Sequence, residues 1–215
     1  MPKQILLVED EPLLCENYAK AIREQGYAVI VCHTKQDALE QLNKSLPDLA
    51  ILDVGLGEDV EAGFDLCREV RMLYTTLPVI FLTARDSDFD TISGLRLEAD
   101  YYLTKEISFP HILARIAALF RRIEALQKPE ETQQIKHEQL LMDVSRFQVQ
   151  WDSRVVDLSL TEFWMLHSLV KRVGHVKSRE QLMQDANIFV DDGTIKSHIK
   201  RIRKKFKDVD KDFDR

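Results

Sequence analysis

Residues 49–53, Leu49-Ala50-Ile51-Leu52-Asp53, form an apolar run that ends in a carboxylate. An earlier run, Ile5-Leu6-Leu7-Val8, ends in the same way at Glu9-Asp10-Glu11. Short, continuously apolar runs are typical of strands buried on both faces, as in a parallel sheet covered by helices. Such sheets bind ligands beyond the carboxyl ends of their strands, where the strand order reverses. The acidic residues are therefore predicted to gather at one edge of a parallel sheet.

This predicted acidic cluster calls for a cation, because carboxylates that are held close together repel one another. Oxygen ligands completed by water molecules suit Mg²⁺. A divalent cation beside a free carboxylate also favours phosphoryl chemistry, since it neutralises the charge that opposes attack on phosphorus. We therefore predict that the cofactor is Mg²⁺ and that the site takes part in phosphoryl transfer.

The composition is that of a globular protein with one or two domains, with 215 residues of which 45% are apolar and 31% charged. No apolar run approaches the roughly 20 residues that span a bilayer, and the first residues do not resemble a signal peptide. The three cysteines lack CxxC spacing, which indicates reduced thiols. We predict a cytoplasmic protein with no membrane partner.

The net charge of −6 is unevenly distributed along the chain. Residues 1–127 carry a net charge of −8, whereas residues 128–215 carry a net charge of +2. Residues 194–207 hold seven basic side chains and no acidic one. This local concentration of positive charge is typical of a surface that binds a polyanion.

Strand and helix signals alternate through the first 126 residues. Helix signals such as Pro12 and the capping sequences at Thr34 and Ser87 separate the apolar runs. Five such units with short loops predict an α/β fold with a doubly wound, five-stranded parallel sheet of the flavodoxin-like type. The strands are predicted at residues 5–8, 27–32, 48–54, 78–84 and 101–105.

Four motifs fall at the carboxyl ends of these predicted strands. They are Val8-Glu9-Asp10-Glu11-Pro12, Leu52-Asp53-Val54, Phe81-Leu82-Thr83-Ala84-Arg85 and the segment from Ala99-Asp100 to Lys105. In this combination and order, residues 1–126 resemble the receiver domain of a two-component response regulator. The resemblance implies a sensor histidine kinase as the partner that supplies a phosphoryl group, and a homodimer that forms through the receiver on phosphorylation.

The resemblance also implies a role for individual residues of the site. Asp53 corresponds to the phosphoacceptor and Lys105 to the lysine that pairs with the phosphoryl group. Thr83 and Tyr102 match the switch pair, in which a hydroxyl moves toward the phosphoryl oxygens and an aromatic ring follows. The ligands implied for Mg²⁺ are the carboxylates of Glu9, Asp10 and Asp53 and the backbone carbonyl of Gly55.

Three features depart from the receiver pattern. The loop at 55–63 has about two more residues than is usual and lacks a proline. Glu106 follows Lys105 where the family has a cis proline, and the cost of a non-proline cis bond predicts a trans peptide here. Tyr101 stands where the family has an aspartate, so that Arg115 is expected to pair with Asp100 or another acid.

A second domain is predicted after a polar linker at 127–134, which contains Pro129. Residues 140–151 and 154–158 alternate like short antiparallel strands around a turn at Asp152-Ser153. Helices are predicted to open at Leu160, at the capping sequence Ser178-Arg179-Glu180-Gln181, and near residue 194. This order of elements predicts an α+β domain over residues 135–215.

The last predicted helix has apolar residues at Ile195, Ile199, Ile202 and Phe206, which form one buried stripe at helical spacing. With Leu160-Thr161-Glu162-Phe163 and Ser178-Arg179-Glu180-Gln181-Leu182, it resembles the winged-helix effector domain of OmpR/PhoB-type transcription regulators. Double-stranded DNA is the partner that this resemblance implies, because an α-helix fits the major groove. The residues expected nearest the DNA are Lys196, Ser197, Lys200 and Arg201, with Arg203 and Lys204 on phosphates.

One element of the effector family is expected to be missing. The family ends in a β-hairpin wing, and this chain ends at Phe213-Asp214-Arg215, where that hairpin would begin. The winged-helix domain is therefore predicted to lack its C-terminal wing.

Together these resemblances imply a phosphorylation-activated transcriptional regulator that catalyses only its own phosphoryl transfer and dephosphorylation. A phosphorylation-responsive protein-interaction module without DNA binding is the alternative. An aspartyl-phosphate hydrolase would normally need a second acid two residues after the nucleophile, and Gly55 occupies that position. The run from Thr83 to Asp90 also resembles regulators that accompany dedicated sortase systems in proteobacteria.

Overall fold

The computed structural model describes residues 2–85, 94, 97, 99–127, 134–171, 173–186 and 192–213. The chain divides into two compact units, Met1–Ala117 and Ala118–Arg215. The predicted domain limits at residues 126 and 135 stay a prediction. Within the described ranges, no helix is both long and apolar enough to cross a membrane.

The first unit is built on a five-stranded parallel sheet, as predicted from the apolar runs. Its strand order is β2-β1-β3-β4-β5, so the order reverses between β1 and β3. The strands β1, β3 and β4 are buried along most or all of their length, which explains their continuous apolar sequence. The strands are β1 Gln4–Val8, β2 Ala28–Cys32, β3 Leu49–Leu52, β4 Val79–Thr83 and β5 Tyr101–Thr104.

The register of β1 and β3 brings the two acidic strand ends together. Val8 pairs with Leu52 at the last position of the ladder, and the N–H of Asp53 donates to the carbonyl of Val8 at 2.9 Å. The side chains of Glu9 and Asp53 therefore leave the sheet at the same edge, at the point where the strand order reverses.

Helices cover this sheet and begin where local sequence signals predict. Pro12 lies in the first turn of α1, and Thr34 caps α2 by accepting from the N–H of Asp37 at 3.1 Å. The predicted cap at Ser87 and most of the helix after it lie outside the described residues. The described helices that begin in this unit are α1 Pro12–Glu24, α2 Lys35–Lys44, α3 Ala62–Leu73 and α4 Phe109–Gln127.

The second unit contains a four-stranded antiparallel sheet in the order β6-β7-β8-β9. Asp152 and Ser153 both have positive φ angles, 47° and 65°, and form the predicted turn between β8 and β9. The first strand was not predicted, because an edge strand with exposed polar residues lacks an apolar alternation. The strands are β6 Gln134–His137, β7 Leu140–Asp143, β8 Gln148–Trp151 and β9 Arg154–Val155.

The described part of the chain after this sheet contains three helices, α5 Leu160–Val170, α6 Arg179–Ala186 and α7 Asp192–Val209. The predicted capping sequence of α6 forms reciprocal bonds, since the N–H of Gln181 donates to Ser178 Oγ and Gln181 Oε1 accepts from the N–H of Ser178. Aromatic contacts of Phe206 with Trp151 and Phe213 pack α7 against β8, and Phe163 of α5 is fully buried.

Candidate functional site

The ammonium of Lys105, which follows β5, contacts the acidic residues that follow β1 and β3. Its Nζ lies 2.6 Å from Asp53 Oδ2, 2.9 Å from Glu9 Oε1 and 2.8 Å from Glu9 Oε2. The N–H of Lys105 donates to the carbonyl of Thr83 at 2.8 Å, which extends the pairing of β4 and β5 to this residue. The Lys105–Glu106 peptide is trans, as predicted.

The environment shifts the pKa values of two of these groups. Burial raises the pKa of Glu9 above its usual range, although the hydrogen bond and charge of Lys105 oppose that shift. Burial by itself would lower the pKa of Lys105, but bonds to Asp53 and Glu9 outweigh it and the pKa is raised. The lysine therefore stays charged at neutral pH and offsets part of the negative charge of the two buried carboxylates.

The carboxylates of Glu9, Asp10 and Asp53 are arranged to hold a metal ion. Each offers one oxygen, and these oxygens lie within 4.8 Å of one another. A set of hard oxygen donors at this spacing fits a divalent cation such as Mg²⁺. Asp53 Oδ1 accepts from the N–H of Val54 at 2.6 Å, which orients the carboxylate.

The long loop at 55–63 folds back onto this acidic group. The N–H of Gly57 donates to Asp10 Oδ2 at 2.9 Å, with Gly57 in a left-handed conformation of φ +66°. Leu56 and Asp59 exchange backbone hydrogen bonds at 2.9 and 3.4 Å, which close a small internal turn. The loop therefore lies beside the acidic group and holds the side chain of Asp10, one of the candidate metal ligands.

Gly63 closes this loop at the start of α3 and allows a close backbone approach. Its N–H donates to the carbonyl of Val54 at 2.8 Å. A Cβ atom at this position would lie 1.8 Å from the carbonyl oxygen of Asp53. The sequence indicated only a glycine-containing turn here, because the contact joins residues that are adjacent in space and ten positions apart.

Both predicted switch residues bond to the backbone of Arg85. Thr83 is buried, and its Oγ1 accepts from the N–H of Arg85 at 3.3 Å. The hydroxyl of Tyr102 donates to the carbonyl of Arg85 at 3.1 Å. The guanidinium of Arg85 donates to the carbonyl of Val60 at 2.8 Å and lies 5.9 Å from the ring centre of Phe64. Arg85 was not singled out from the sequence, although it lies two residues after Thr83.

Arg115 of α4 packs against an aromatic ring of β5. The Arg115 guanidinium lies 5.5 Å from the centre of the Tyr101 ring. Asp100 is buried and accepts from the N–H of Val79 at 2.9 Å, with Arg71 at 3.5 Å. These contacts direct Asp100 toward the start of β4 and toward α3, and the predicted pairing of Arg115 with Asp100 or another acid stays a prediction.

In the second unit, α7 has a buried side and a cationic side. Ile195, Ile202 and Phe206 are buried as predicted, Ile199 is partly buried, and His198 joins the buried side. Ser197 is partly exposed. The opposite side presents the exposed cations Lys196, Lys200, Arg203, Lys204 and Lys207. A helix with this charge distribution can lie against a polyanion such as DNA.

Arg201, predicted to lie near DNA, is half-buried and holds other groups of the second unit. Its Nε donates to Glu162 Oε1 at 3.1 Å, and its Nη2 lies 2.7 Å from His198 Nδ1. Burial, followed by the charges of Arg201 and Lys205, lowers the pKa of His198 to about 3. His198 is therefore neutral at pH 7 and accepts from Arg201. Neither Glu162 nor His198 was singled out from the sequence as functional.

A groove of about 500 Å³ lies between α6 and α7, with an apolar floor and a cationic rim. Lys177 in this rim donates to the carbonyl of Ser168 at 2.7 Å and to its Oγ at 2.9 Å, so that its ammonium is held at the end of α5. The rim consists of Lys177, Arg179, Lys196, Lys200 and Arg203. Its charge is suited to the sugar-phosphate backbone of a nucleic acid.

Comparisons with known proteins match both units. The family described as response regulator receiver domain matches residues 5–117, and the family described as transcriptional regulatory protein, C terminal, matches residues 152–214. Transcriptional regulatory protein CreB of Escherichia coli K12 is 36% identical to this chain, and the match covers 97% of this chain and 91% of CreB. Transcriptional regulatory protein BaeR of Escherichia coli O6:H1 is also 36% identical, and the match covers 96% of this chain and 85% of BaeR.

Solved structures give the same result. DrrB of Thermotoga maritima, an OmpR/PhoB homologue, is 26% identical, with a TM-score of 0.53 over 95% of this chain and 89% of DrrB. The predicted fold is confirmed as a receiver followed by a winged-helix-like DNA-binding domain, and the sortase-system subgroup stays a prediction. The chain belongs to the response regulators of two-component systems with an OmpR/PhoB-type effector domain, which are phosphorylation-activated, DNA-binding transcriptional regulators.

Proposed function

We propose that Asp53 accepts the phosphoryl group, with a sensor histidine kinase as the donor. The observation that carries this proposal is the 2.6 Å contact between Lys105 Nζ and Asp53 Oδ2 at the point where the strand order reverses. In the transfer, a carboxylate oxygen of Asp53 forms a bond to phosphorus while the bond from phosphorus to the leaving group breaks. The leaving group keeps the electron pair of that bond.

Charge is the main obstacle to this transfer, because two anions approach each other. Lys105 already neutralises Asp53 and can donate to a phosphoryl oxygen from the same position. Mg²⁺, when bound, would supply Lewis acidity to the phosphoryl oxygens and shield the acidic group. Its proposed ligands are Glu9, Asp10, Asp53 and the backbone carbonyl of Gly55. The protein is thus proposed to catalyse its own phosphorylation and dephosphorylation and no other reaction.

Thr83, Tyr102 and Arg85 are proposed to transmit the new charge. A phosphoryl group on Asp53 adds about 1.5 to 2 negative charges. The hydroxyl of Thr83 would leave the N–H of Arg85 to donate to a phosphoryl oxygen. This shift would loosen the bond between Tyr102 and the Arg85 carbonyl and favour a second packing of β5 and its neighbours. A homodimer of receivers on this face, which includes Tyr101 and Arg115, is the proposed outcome.

The proposed output is binding of double-stranded DNA by α7 in the major groove. Lys196, Ser197 and Lys200 are proposed to lie nearest the bases, with Arg203 and Lys204 on phosphates. Arg201 lies at the edge of this surface, and its bonds to Glu162 and His198 give it a positioning role. The match of the effector family supports DNA binding over the alternative of an interaction module.

Replacement of Lys105 tests the metal site separately from phosphorylation. In buffer with EDTA, Lys105→Met is expected to lower the free energy of unfolding of the first unit by about 2 kcal/mol, because Glu9 and Asp53 lose their buried counter-charge. Addition of MgCl₂ should stabilise the variant more than the wild type, since the cation no longer competes with the ammonium. Denaturant titration followed by circular dichroism measures both effects.

Lys3→Met is the matched control for this experiment. Lys3 pairs with Asp48 at 3.2 Å in a solvent-accessible position at the opposite end of β3, where an ion pair contributes only about 0–1 kcal/mol. Its unfolding should respond to MgCl₂ as the wild type does. An equal response of the two variants to MgCl₂ would contradict the proposed ligands.

Loss of one cation on α7 tests the DNA surface. Lys204→Gln is expected to weaken binding to all duplexes and to reduce the slope of log K against log salt concentration by about 0.9, the value for one released counterion. Fluorescence anisotropy with duplex DNA from upstream of the protein's own gene, at several salt concentrations, gives the slope. Lys20→Gln on the exposed side of α1 removes the same charge from the first unit and should leave the slope unchanged.

A further inference from the structure

Glu162 is a fully buried carboxylate at the start of α5, and one of its functions is local. Its Oε2 accepts from the N–H of Ser159 at 3.1 Å, and its own N–H donates to Ser159 Oγ at 3.4 Å. These reciprocal bonds are a capping box, which satisfies two backbone donors at the helix start. A glutamine would serve this function equally well, so capping does not explain why a negative charge is buried here.

The charge is explained by contacts with α7. Glu162 Oε1 lies 3.1 Å from Arg201 Nε, and Glu162 Oε2 lies 2.7 Å from Lys205 Nζ. Arg201 and Lys205 are four residues apart and thus stand one above the other on the same side of the helix. A single rigid anion is therefore bonded to two successive turns of α7, which restrains both its rotation and its sliding along α5.

His198 adds a third point on the same side, one turn before Arg201. It is fully buried and neutral, and its Nδ1 accepts from Arg201 Nη2 at 2.7 Å. The guanidinium is bonded at Nε to Glu162 and at Nη2 to His198, so that its plane is set by two acceptors at once. His198, Arg201 and Lys205 together form a polar seam, which holds α7 against the start of α5.

The opposite side of α7 carries the exposed cations Lys196, Lys200, Arg203 and Lys204. Because a helix with its side chains is about 10–12 Å across, a rotation by about 10° moves a side-chain tip by roughly 1 Å. Hydrogen bonds to base edges tolerate little displacement, whereas contacts with phosphates depend mainly on charge. A change in the rotation of α7 would therefore affect recognition of a specific sequence more than overall affinity for DNA.

We propose that Glu162 is the positioning residue for sequence-specific DNA binding, and that it acts by fixing the rotation of α7 through Arg201 and Lys205. The inference rests on the proposed role of α7 as the element that enters the major groove. Glu162 itself contacts no DNA, because it is buried. Glu162 is therefore expected to raise the affinity for a specific DNA site relative to the affinity for any other duplex.

Glu162→Gln separates the two functions, because glutamine keeps the capping acceptor and removes the charge. The probes are a duplex that carries the wild-type footprint upstream of the protein's own gene, and a shuffled duplex of equal length. The ratio of the two affinities is expected to fall about tenfold. Binding of the shuffled duplex should stay the same or rise a few-fold, since Arg201 and Lys205 keep their positive charges when the charge of Glu162 is removed.

Ser159→Ala is the matched control, because it removes one bond of the capping box and leaves both ion pairs. It should lower thermal stability and keep the affinity ratio within about twofold of the wild type. An unchanged ratio in Glu162→Gln, or an equal fall in Ser159→Ala, would overturn the proposal. If the wild type gave no footprint, the proposed role of α7 would be the part that fails.

A second pair of variants decides the matter if Glu162→Gln does not fold. Lys205→Met removes one of the two bonds to Glu162 and is expected to lower the affinity ratio about threefold. Lys207→Met removes an exposed cation from the same helix and should reduce the salt slope without a change in the ratio. Equal affinity ratios in these two variants would also overturn the proposal.

Discussion

Asp53→Asn is expected to reduce phosphoryl incorporation from acetyl phosphate by at least about 100-fold. The carboxamide has nearly the same shape as the carboxylate but is a far weaker nucleophile, and it removes a charged ligand of the proposed metal. Its oxygen can still accept from Lys105, so the surrounding strand ends should stay in place. Intact-protein mass spectrometry after incubation with acetyl phosphate and MgCl₂ measures the labelled fraction.

Asp48→Asn provides a control with the same chemical change on the same strand connection. Asp48 accepts from the N–H of Gln4 at 2.7 Å and pairs with Lys3, at the end of β3 away from Lys105. Its labelling should equal that of the wild type. Persistent labelling of Asp53→Asn at the wild-type level would refute Asp53 as the phosphoacceptor.

Gly63→Ala is expected to destabilise the first unit by about 3 kcal/mol or more. The new Cβ would lie 1.8 Å from the Asp53 carbonyl oxygen and 2.8 Å from the Val54 Cα. Both atoms belong to the backbone at the end of β3, so relief requires movement of the strand or of α3 and not of a flexible side chain. Phosphoryl incorporation should fall as well, because the same movement displaces Asp53.

The stability of the two units can be followed separately in this experiment. The two tryptophans, Trp151 and Trp164, belong to the second unit. The unfolding transition followed by tryptophan fluorescence should therefore have the same midpoint denaturant concentration as in the wild type. Circular dichroism should show an earlier transition for the first unit. Gly55→Ala is the control, because its Cβ would meet only the Val60 Cα at 3.9 Å. Equal stability of Gly63→Ala and Gly55→Ala would contradict the described backbone contact.

Most of the first unit's architecture was predictable because burial on both faces leaves a direct mark on sequence. The runs ending at Glu9 and Asp53 identified strands, and the rule for parallel sheets placed their ends together. The capping sequences at Thr34 and Ser178 were predictable for a similar reason, since capping needs particular side chains three residues apart. The strand β6 was not predictable, because its polar residues pair at a sheet edge.

The site was predictable in its residues but not in its contacts. Strand ends and the resemblance to receivers brought Asp53, Lys105 and Thr83 together. They did not indicate that Lys105 bonds to both Glu9 and Asp53, or that Arg85 bonds to both switch residues. These contacts join residues that are far apart in sequence, and no local pattern encodes them.

The sequence also identified the DNA-binding helix without showing which of its cations are exposed. The basic run from residue 194 to 207 identified α7, and its apolar spacing identified the buried side. Charge alone could not separate Lys200, which is exposed, from Arg201, which bonds to Glu162. That distinction depends on a buried carboxylate 39 residues earlier in the chain.

We propose that the phosphoryl group on Asp53 controls DNA binding by α7. The direct measurement is the affinity of the full chain for its footprinted duplex, with and without acetyl phosphate and MgCl₂, for the wild type and for Asp53→Asn. Acetyl phosphate is expected to raise the affinity of the wild type about tenfold and to leave that of Asp53→Asn unchanged. Equal affinity of the wild type in both conditions, at a labelled fraction confirmed by mass spectrometry, would show that phosphorylation of Asp53 does not control DNA binding by α7.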